Sequence, residues 1–244
     1  MIVPYLTAGW PSEEGFLAAV SGAARAGCPM FEVGIPFSDP VADGPVIQRT
    51  STEALERGVT VDRALWLARQ AVERSGLPAV AMTYANLVFH RGVARFCQDL
   101  ADAGCQALIV PDLPLEEAAE LEQTGRESGI DLIYLATPTT SEARMAELGR
   151  HTRRFLYLVS VRGVTGSRAE LPGELDQLIA RAVRASQAPV YVGFGVSTRA
   201  HAARILRTAQ GVIVGSALLE RLENGDPGRA AEEFLRSLMP EDAC

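Results

Sequence analysis

Three carboxylates, Glu32, Asp39 and Asp43, stand in one stretch of the chain, FEVGIPFSDPVADGPVIQ, from Phe31 to Gln48. A short apolar run around Glu32 breaks into a turn-rich segment carrying the two aspartates before a helix begins, a pattern that delivers acids from a strand to the mouth of a site. Side chains alternate across a strand, so Glu32 shares a face with Gly34 and opposes Val33. In a parallel sheet covered on both faces Glu32 is buried. Burial disfavours the charged form, and a carboxyl shifted toward neutrality can both give and take protons. The alternative is an exposed edge strand with Glu32 in water, which the apolar Phe31, Val33 and Ile35 disfavour. Asp43, in Ala-Asp-Gly-Pro, is either a second acid of the site or simply the cap of the helix that Pro45 opens. Asp39, in Ser-Asp-Pro, reads as a turn residue.

Positioning such acids requires a scaffold, and the pattern of the chain specifies one. Strands are expected at Ile2 to Thr7, Met30 to Ile35, Ala79 to Thr83, Ala107 to Val110, Leu132 to Ala136, Phe155 to Ser160, Val190 to Val192 and Val212 to Val214. Between them apolar residues recur at helical spacing, as in Leu65, Ala68, Val72 and in Leu175, Leu178, Ile179, Ala182. The expected helices include Glu13 to Ala26, Val61 to Ser75, Val93 to Ala103, Leu115 to Ser128, Ser141 to Leu148, Leu175 to Ala185 and Thr198 to Thr208. Alternation of this kind implies parallel pairing through right-handed crossovers, and eight units imply an α/β fold closed as a (β/α)8 TIM barrel. An open doubly wound sheet is disfavoured, because the first strand-to-helix turn, Thr-Ala-Gly-Trp-Pro, carries no dinucleotide fingerprint. No linker or low-complexity segment divides residues 1–244, so a single domain is expected.

In a barrel the residues that follow the strands share one face. The later ones are rich in glycine: Gly163 to Gly166, Gly193 to Ser197 and Val214 to Ala217 each place small residues where backbone amides or hydroxyls could meet an anion. Two glycine-bearing turns after strands seven and eight suit a phosphate site. Phe194, between two glycines, suggests a flat apolar group beside that phosphate, while Tyr84, Leu108 and Tyr157 could be ordinary core.

Composition narrows the chemistry. All 23 basic residues are arginine. Without lysine there is no Schiff base, no covalently held pyridoxal phosphate and no P-loop, and a phosphate must be held by amides, hydroxyls or arginine. His90, His151 and His201 lie far apart and suggest no metal site. A net charge of -7 argues against nucleic acid as a partner. No apolar run could span a bilayer and the N-terminus has no export signal, so no membrane association is expected. Cys28, Cys97, Cys105 and Cys244 form no Cys-x-x-Cys pair, which fits a reducing cytoplasm.

The motifs Phe31 to Gln48, Thr83 to Phe89 (TYANLVF), Val110 to Glu117 (VPDLPLEE), Gly163 to Gly166 (GVTG), Val192 to Ser197 (VGFGVS) and Val214 to Ala217 (VGSA) together resemble the α subunit of tryptophan synthase over almost the whole chain. The resemblance implies an eight-stranded barrel that cleaves indole-3-glycerol phosphate to indole and glyceraldehyde 3-phosphate, with indole passed to a pyridoxal phosphate-dependent β subunit. It casts Glu32 as the general acid/base and Asp43 as the acid that holds the indole N–H. Tyr84, Tyr157 and Thr165 would stand beside the substrate or on a closing loop, Phe194 would pack on the ring, and Gly166, Gly195, Gly215 and Ser216 would form the phosphate turns. Neither metal nor cofactor is implied, because a protonated indole ring is its own electron sink.

Three features depart from that family. Strand one starts almost at Met1, without the helix that members carry ahead of it; Trp10 replaces an acid after Thr-Ala-Gly; and Arg162 follows Ser160-Val161 instead of adjoining the serine. These motivate a stand-alone lyase releasing free indole as one alternative. A non-catalytic phosphate-binding barrel acting as an interaction partner is a second, and an isomerase of sugar phosphates a third.

Overall fold

The computed structural model describes residues 1–159, 174–193 and 195–239. Strands β1 (Ile2–Thr7), β2 (Phe31–Gly34), β3 (Ala79–Met82), β4 (Cys105–Ile109), β5 (in two segments, Asp131–Ile133 and Leu135–Ala136), β6 (Leu156–Val159), β7 (Val190–Gly193) and β8 (Gly211–Val214) form one sheet in which every pair is parallel. The first segment of β5 pairs with β4 and the second with β6, so the two ends of the sheet are a single stretch of chain and the sheet closes on itself. The break falls at Tyr134. Its amide donates to Thr152 Oγ1 at 3.4 Å, its carbonyl accepts from Tyr157 at 2.9 Å, and its hydroxyl reaches out to Glu122 at 2.7 Å. The eight expected strands are thus the eight strands of the barrel.

The helices are α1 (Glu13–Arg25), α2 (Pro45–Glu56), α3 (Val61–Ser75), α4 (Ala85–Arg91), α5 (Val93–Asp102), α6 (Ala119–Glu127), α7 (Glu142–His151), α8 (Leu175–Ala185), α9 (Arg199–Leu206), α10 (Ser216–Leu222) and α11 (Pro227–Leu238). Their starts are written in the sequence. Ser12, Thr60, Ser141, Thr198 and Asp226 each accept a backbone N–H from the first turn that follows. The helix expected from Leu115 to Ser128 splits into a tight turn at Leu115–Glu117 and α6. Pro114 and Leu115 accept from residues only three further on, which winds this stretch more tightly than an α-helix.

Inside the barrel, tyrosines lean across glycines of the next strand. A Cβ at Gly34 of β2 would lie 2.0 Å from Tyr5 Oη of β1, and one at Gly193 of β7 would lie 2.2 Å from Tyr157 Oη of β6. Both phenols therefore occupy space that any larger residue on the neighbouring strand would take. Lower in the interior, Phe155 and Tyr191 stack at 4.2 Å between ring centres and fill the barrel with apolar bulk.

Candidate active site

Glu32 sits in β2 between β1 and β3, in register with Tyr5 on one side and Val80 on the other, and is 1% exposed. The edge-strand alternative is therefore excluded. Among the described residues neither of its carboxylate oxygens has a hydrogen-bond partner. Burial pushes its proton affinity up to about 8, and the nearby charge of Asp43 pushes in the same direction. At neutral pH Glu32 carries a proton it can release.

Asp43 follows on the loop that leads from β2 into α2. It is not the cap of that helix: the capping residue is Gly44, which makes no side-chain bond, and Pro45 occupies the first turn. Instead the side chain turns inward and is 4% exposed. The Tyr84 hydroxyl donates to Asp43 Oδ2 at 2.9 Å while accepting the Ala42 amide at 3.1 Å, and Phe37 stacks on the Tyr84 ring at 5.2 Å. Gln48 Nε2 donates to the Asp43 carbonyl at 2.8 Å, holding the backbone. Asp43 Oδ1 is buried with no partner among the described residues. Burial raises the Asp43 carboxyl to about 6, and the Tyr84 hydrogen bond limits the rise. Two acids in one cleft are thus set apart: near pH 7 Asp43 is ionised and Glu32 is protonated.

Both border a cavity of about 450 Å³, counted with its open mouth, at the end of the barrel where the strands finish. Tyr5, Tyr157, Ile47 and Met82 supply further wall, and Gly195, Gly215 and Ser216 line it from the turns that follow β7 and β8. Gly195 has φ +78°, a conformation that side-chain-bearing residues avoid. Ser216 opens α10, where first-turn amides lack helical partners. A cavity with proton-handling acids on one wall and anion-binding amides on another suits a small phosphorylated substrate that must be cleaved or isomerised.

Of the residues expected from the sequence, the structure brings together Glu32, Asp43, Tyr157, Gly195, Gly215 and Ser216 around this cavity. Tyr84 reaches it through Asp43. Thr165, Gly166 and Phe194 lie outside the described residues. Leu108 is core, and Asp39 is an exposed turn residue as expected. Tyr5 escaped the sequence reading, although its place two residues before Thr7 on an inward-facing strand was a usable signal.

Against known proteins, the family model described as the tryptophan synthase alpha chain matches residues 1–239. The chain belongs to the tryptophan synthase alpha chain family. A tryptophan synthase alpha chain of Chloroflexus aurantiacus is 43% identical over 98% of this chain and 91% of its own length, and one from Acaryochloris marina is 40% identical over 97% and 90%. Among solved structures, a chain of the Pyrococcus furiosus tryptophan synthase a2b2 complex superposes with a TM-score of 0.90 at 36% identity, covering 97% of this chain and 96% of that one. Mycobacterium tuberculosis tryptophan synthase gives 0.88 at 39% identity, covering 97% and 90%.

Trp10, at a position where the family resemblance leads one to expect an acid, sits in a packed setting. The side chain is 2% exposed, its indole N–H donates to Glu53 Oε2 at 2.9 Å, and the Arg49 guanidinium lies over the ring at 5.9 Å. Arg49 also pairs with Glu223, and Arg57 donates to the Pro11 carbonyl at 2.6 Å. Trp10 therefore ties the turn after β1 to α2 and does not border the cavity. Arg162 lies outside the described residues. Among the described residues no His, Cys, Asp or Glu cluster could hold a metal, and no helix is long and apolar enough to cross a membrane.

Proposed function

We propose that this chain cleaves indole-3-glycerol phosphate to indole and glyceraldehyde 3-phosphate as the α subunit of a tryptophan synthase, working with a pyridoxal phosphate-dependent β subunit. The observation that carries the reading is the pairing of a buried, protonated Glu32 with a buried, ionised Asp43 at one cavity whose far wall is made of glycine turns.

Glu32 transfers its proton to the indole carbon that bears the side chain, which turns the ring into an electron-deficient iminium. Asp43, through Oδ1, accepts the ring N–H and stabilises the positive charge that develops there. The Glu32 carboxylate then removes the proton of the adjacent glycerol hydroxyl. The carbon–carbon bond breaks, its electron pair returns to the ring as indole is released, and the hydroxyl carbon leaves as the aldehyde of glyceraldehyde 3-phosphate. Glu32 ends protonated, as it began. Gly195, Gly215 and Ser216 hold the phosphate through backbone amides and the serine hydroxyl, the means left to a chain without lysine. Thr165, Gly166 and Phe194 complete the substrate contacts in this reading.

Indole release from indole-3-glycerol phosphate, followed with the chain alone and then with a β subunit added, tests the proposal. Slow release that rises sharply with β supports it. Fast release that β leaves unchanged would select a stand-alone lyase, and no release in either state would overturn the assignment.

A further inference from the structure

Asp43 has no regular element of its own. It precedes α2, whose ladder opens with the Gln48 N–H on the Gly44 carbonyl at 2.9 Å, so the Asp43 carbonyl falls just outside the helix. Gly44 has no side chain to cap the helix and Pro45 has no N–H. The backbone that carries the acid is therefore not fixed by the helix it leads into.

Gln48 supplies what the helix ladder does not. Its Nε2 donates to the Asp43 carbonyl at 2.8 Å and makes a longer contact, 3.5 Å, with the Pro40 carbonyl. The Asp43 N–H donates to that same Pro40 carbonyl at 3.1 Å, closing a turn from Pro40 to Asp43. One side-chain amide thus grips both ends of the turn. Among the described residues the Asp43 carbonyl has no other partner. Both targets are carbonyls and can only accept, so the amide has to present its NH2 edge; an ionised carboxylate of the same shape would make neither bond.

We propose that Gln48 is a positioning residue for the reaction, its amide clasping the Pro40–Asp43 turn so that Asp43 Oδ1 is held at the cavity. This deepens the functional reading given above, in which Asp43 accepts the ring N–H.

The Tyr84 hydroxyl holds Asp43 by Oδ2 alone, and a single hydrogen bond is a pivot. With the backbone free to shift, Oδ1 would swing about that point. The Gln48 bond removes this freedom, and Gln48 itself stands on a rigid base. Thr50, two residues further along α2, shares a proton at 2.8 Å with Thr7 of β1, and both threonines are fully buried. Ile47, beside Gln48, is buried in the cavity wall, and the Trp10 indole N–H on Glu53 ties down the far end of the helix. A side chain projecting from an element anchored in this way places its partner more precisely than a loop contact does.

Gln48→Met keeps the length of the side chain and removes the donor. Indole release is measured with the chain saturated by β subunit. The kcat should fall about tenfold while KM stays within about twofold of the parent, because the phosphate turns are untouched and Asp43 acts on charge that develops only during the reaction. In an Asp43→Asn background the same substitution should cost less than about twofold, since the carboxylate it positions is gone. An unchanged kcat, a loss carried by KM instead, or an equal loss in the Asp43→Asn background would each overturn the proposal. Gln48→Asn, which draws the amide back by one methylene, repeats the measurement should Gln48→Met fail to fold. If the parent releases no indole, the functional reading fails by itself. In that case, or where Asp43→Asn is too slow to assay, backbone amide exchange in the substrate-free chain decides. Faster exchange at Ala42 and Asp43 in the Gln48 variant, with β2 and α2 protected as before, supports the positioning role, and unchanged exchange overturns it.

Discussion

The Tyr84 hydroxyl donates to Asp43 Oδ2 at 2.9 Å and cannot turn away, because its own oxygen already accepts the Ala42 amide. That arrangement leaves Oδ1 as the oxygen available to a ring N–H. Tyr84→Phe is expected to lower kcat/KM on the order of tenfold, the effect of one hydrogen bond to a charged group. It should also move the acidic limb of the pH profile upward. Steady-state kinetics across pH check both, and an unchanged acidic limb would mean that Tyr84 does not tune Asp43.

Turnover should follow a bell in pH. Asp43 must be ionised to accept the ring N–H, so activity rises as pH climbs through about 6. Glu32 must begin protonated, so activity falls as pH climbs through about 8. In Asp43→Asn any residual activity should lack the acidic limb and keep a basic one moved to lower pH, because the Asp43 charge no longer helps to raise Glu32.

Glu32 should weaken the fold at neutral pH. Its folded value, about 8, lies above the ordinary 4.5, so between these values the unfolded chain has lost a proton that the folded chain retains, and stability falls as pH rises through that window. Glu32→Gln has no such proton. It should be more stable than the parent at neutral pH by a few kcal/mol, with the gap closing near the ordinary carboxyl value, while cleavage falls by about a thousandfold or more. Denaturant melts at several pH values, with indole-release assays, decide the matter.

Gly34→Ala places a methyl group 2.0 Å from Tyr5 Oη. A loss of about 1–3 kcal/mol is expected from overpacking. In the double variant with Tyr5→Leu, which lacks the atoms that clash, the loss should be smaller than the sum of the single losses. Additive thermal shifts would place Gly34 and Tyr5 out of contact.

Gly215→Ala separates binding from folding. The three heavy atoms nearest the added methyl group all belong to Tyr5, at 3.4–3.6 Å, ordinary van der Waals distance, so the melting temperature should change little. If the Gly215 turn receives the phosphate as proposed, KM for the phosphorylated substrate should rise, because the methyl group is added to a residue that lines the cavity. Unchanged KM would remove Gly215 from the phosphate site.

Much of this molecule is legible in one dimension. Parallel strands buried on both faces read as short apolar runs, and helix starts announce themselves through Ser12, Thr60, Ser141 and Thr198, so strand and helix positions follow from local chemistry. The acid-bearing motif around Glu32 and Asp43 likewise marks itself. Tertiary structure decided what depends on neighbours distant in the chain. Whether Asp43 caps α2 or faces the cavity is a question of where Tyr84 lies, and Tyr84 arrives from the far end of another strand. The place of Tyr5 was hidden for the same reason: a tyrosine in an apolar strand reads as core until Gly34 and Gly215 are seen beside it at the wall of the cavity. Local sequence sets backbone preference and polarity, whereas proton affinity is set by burial and by charges brought close only when the barrel closes.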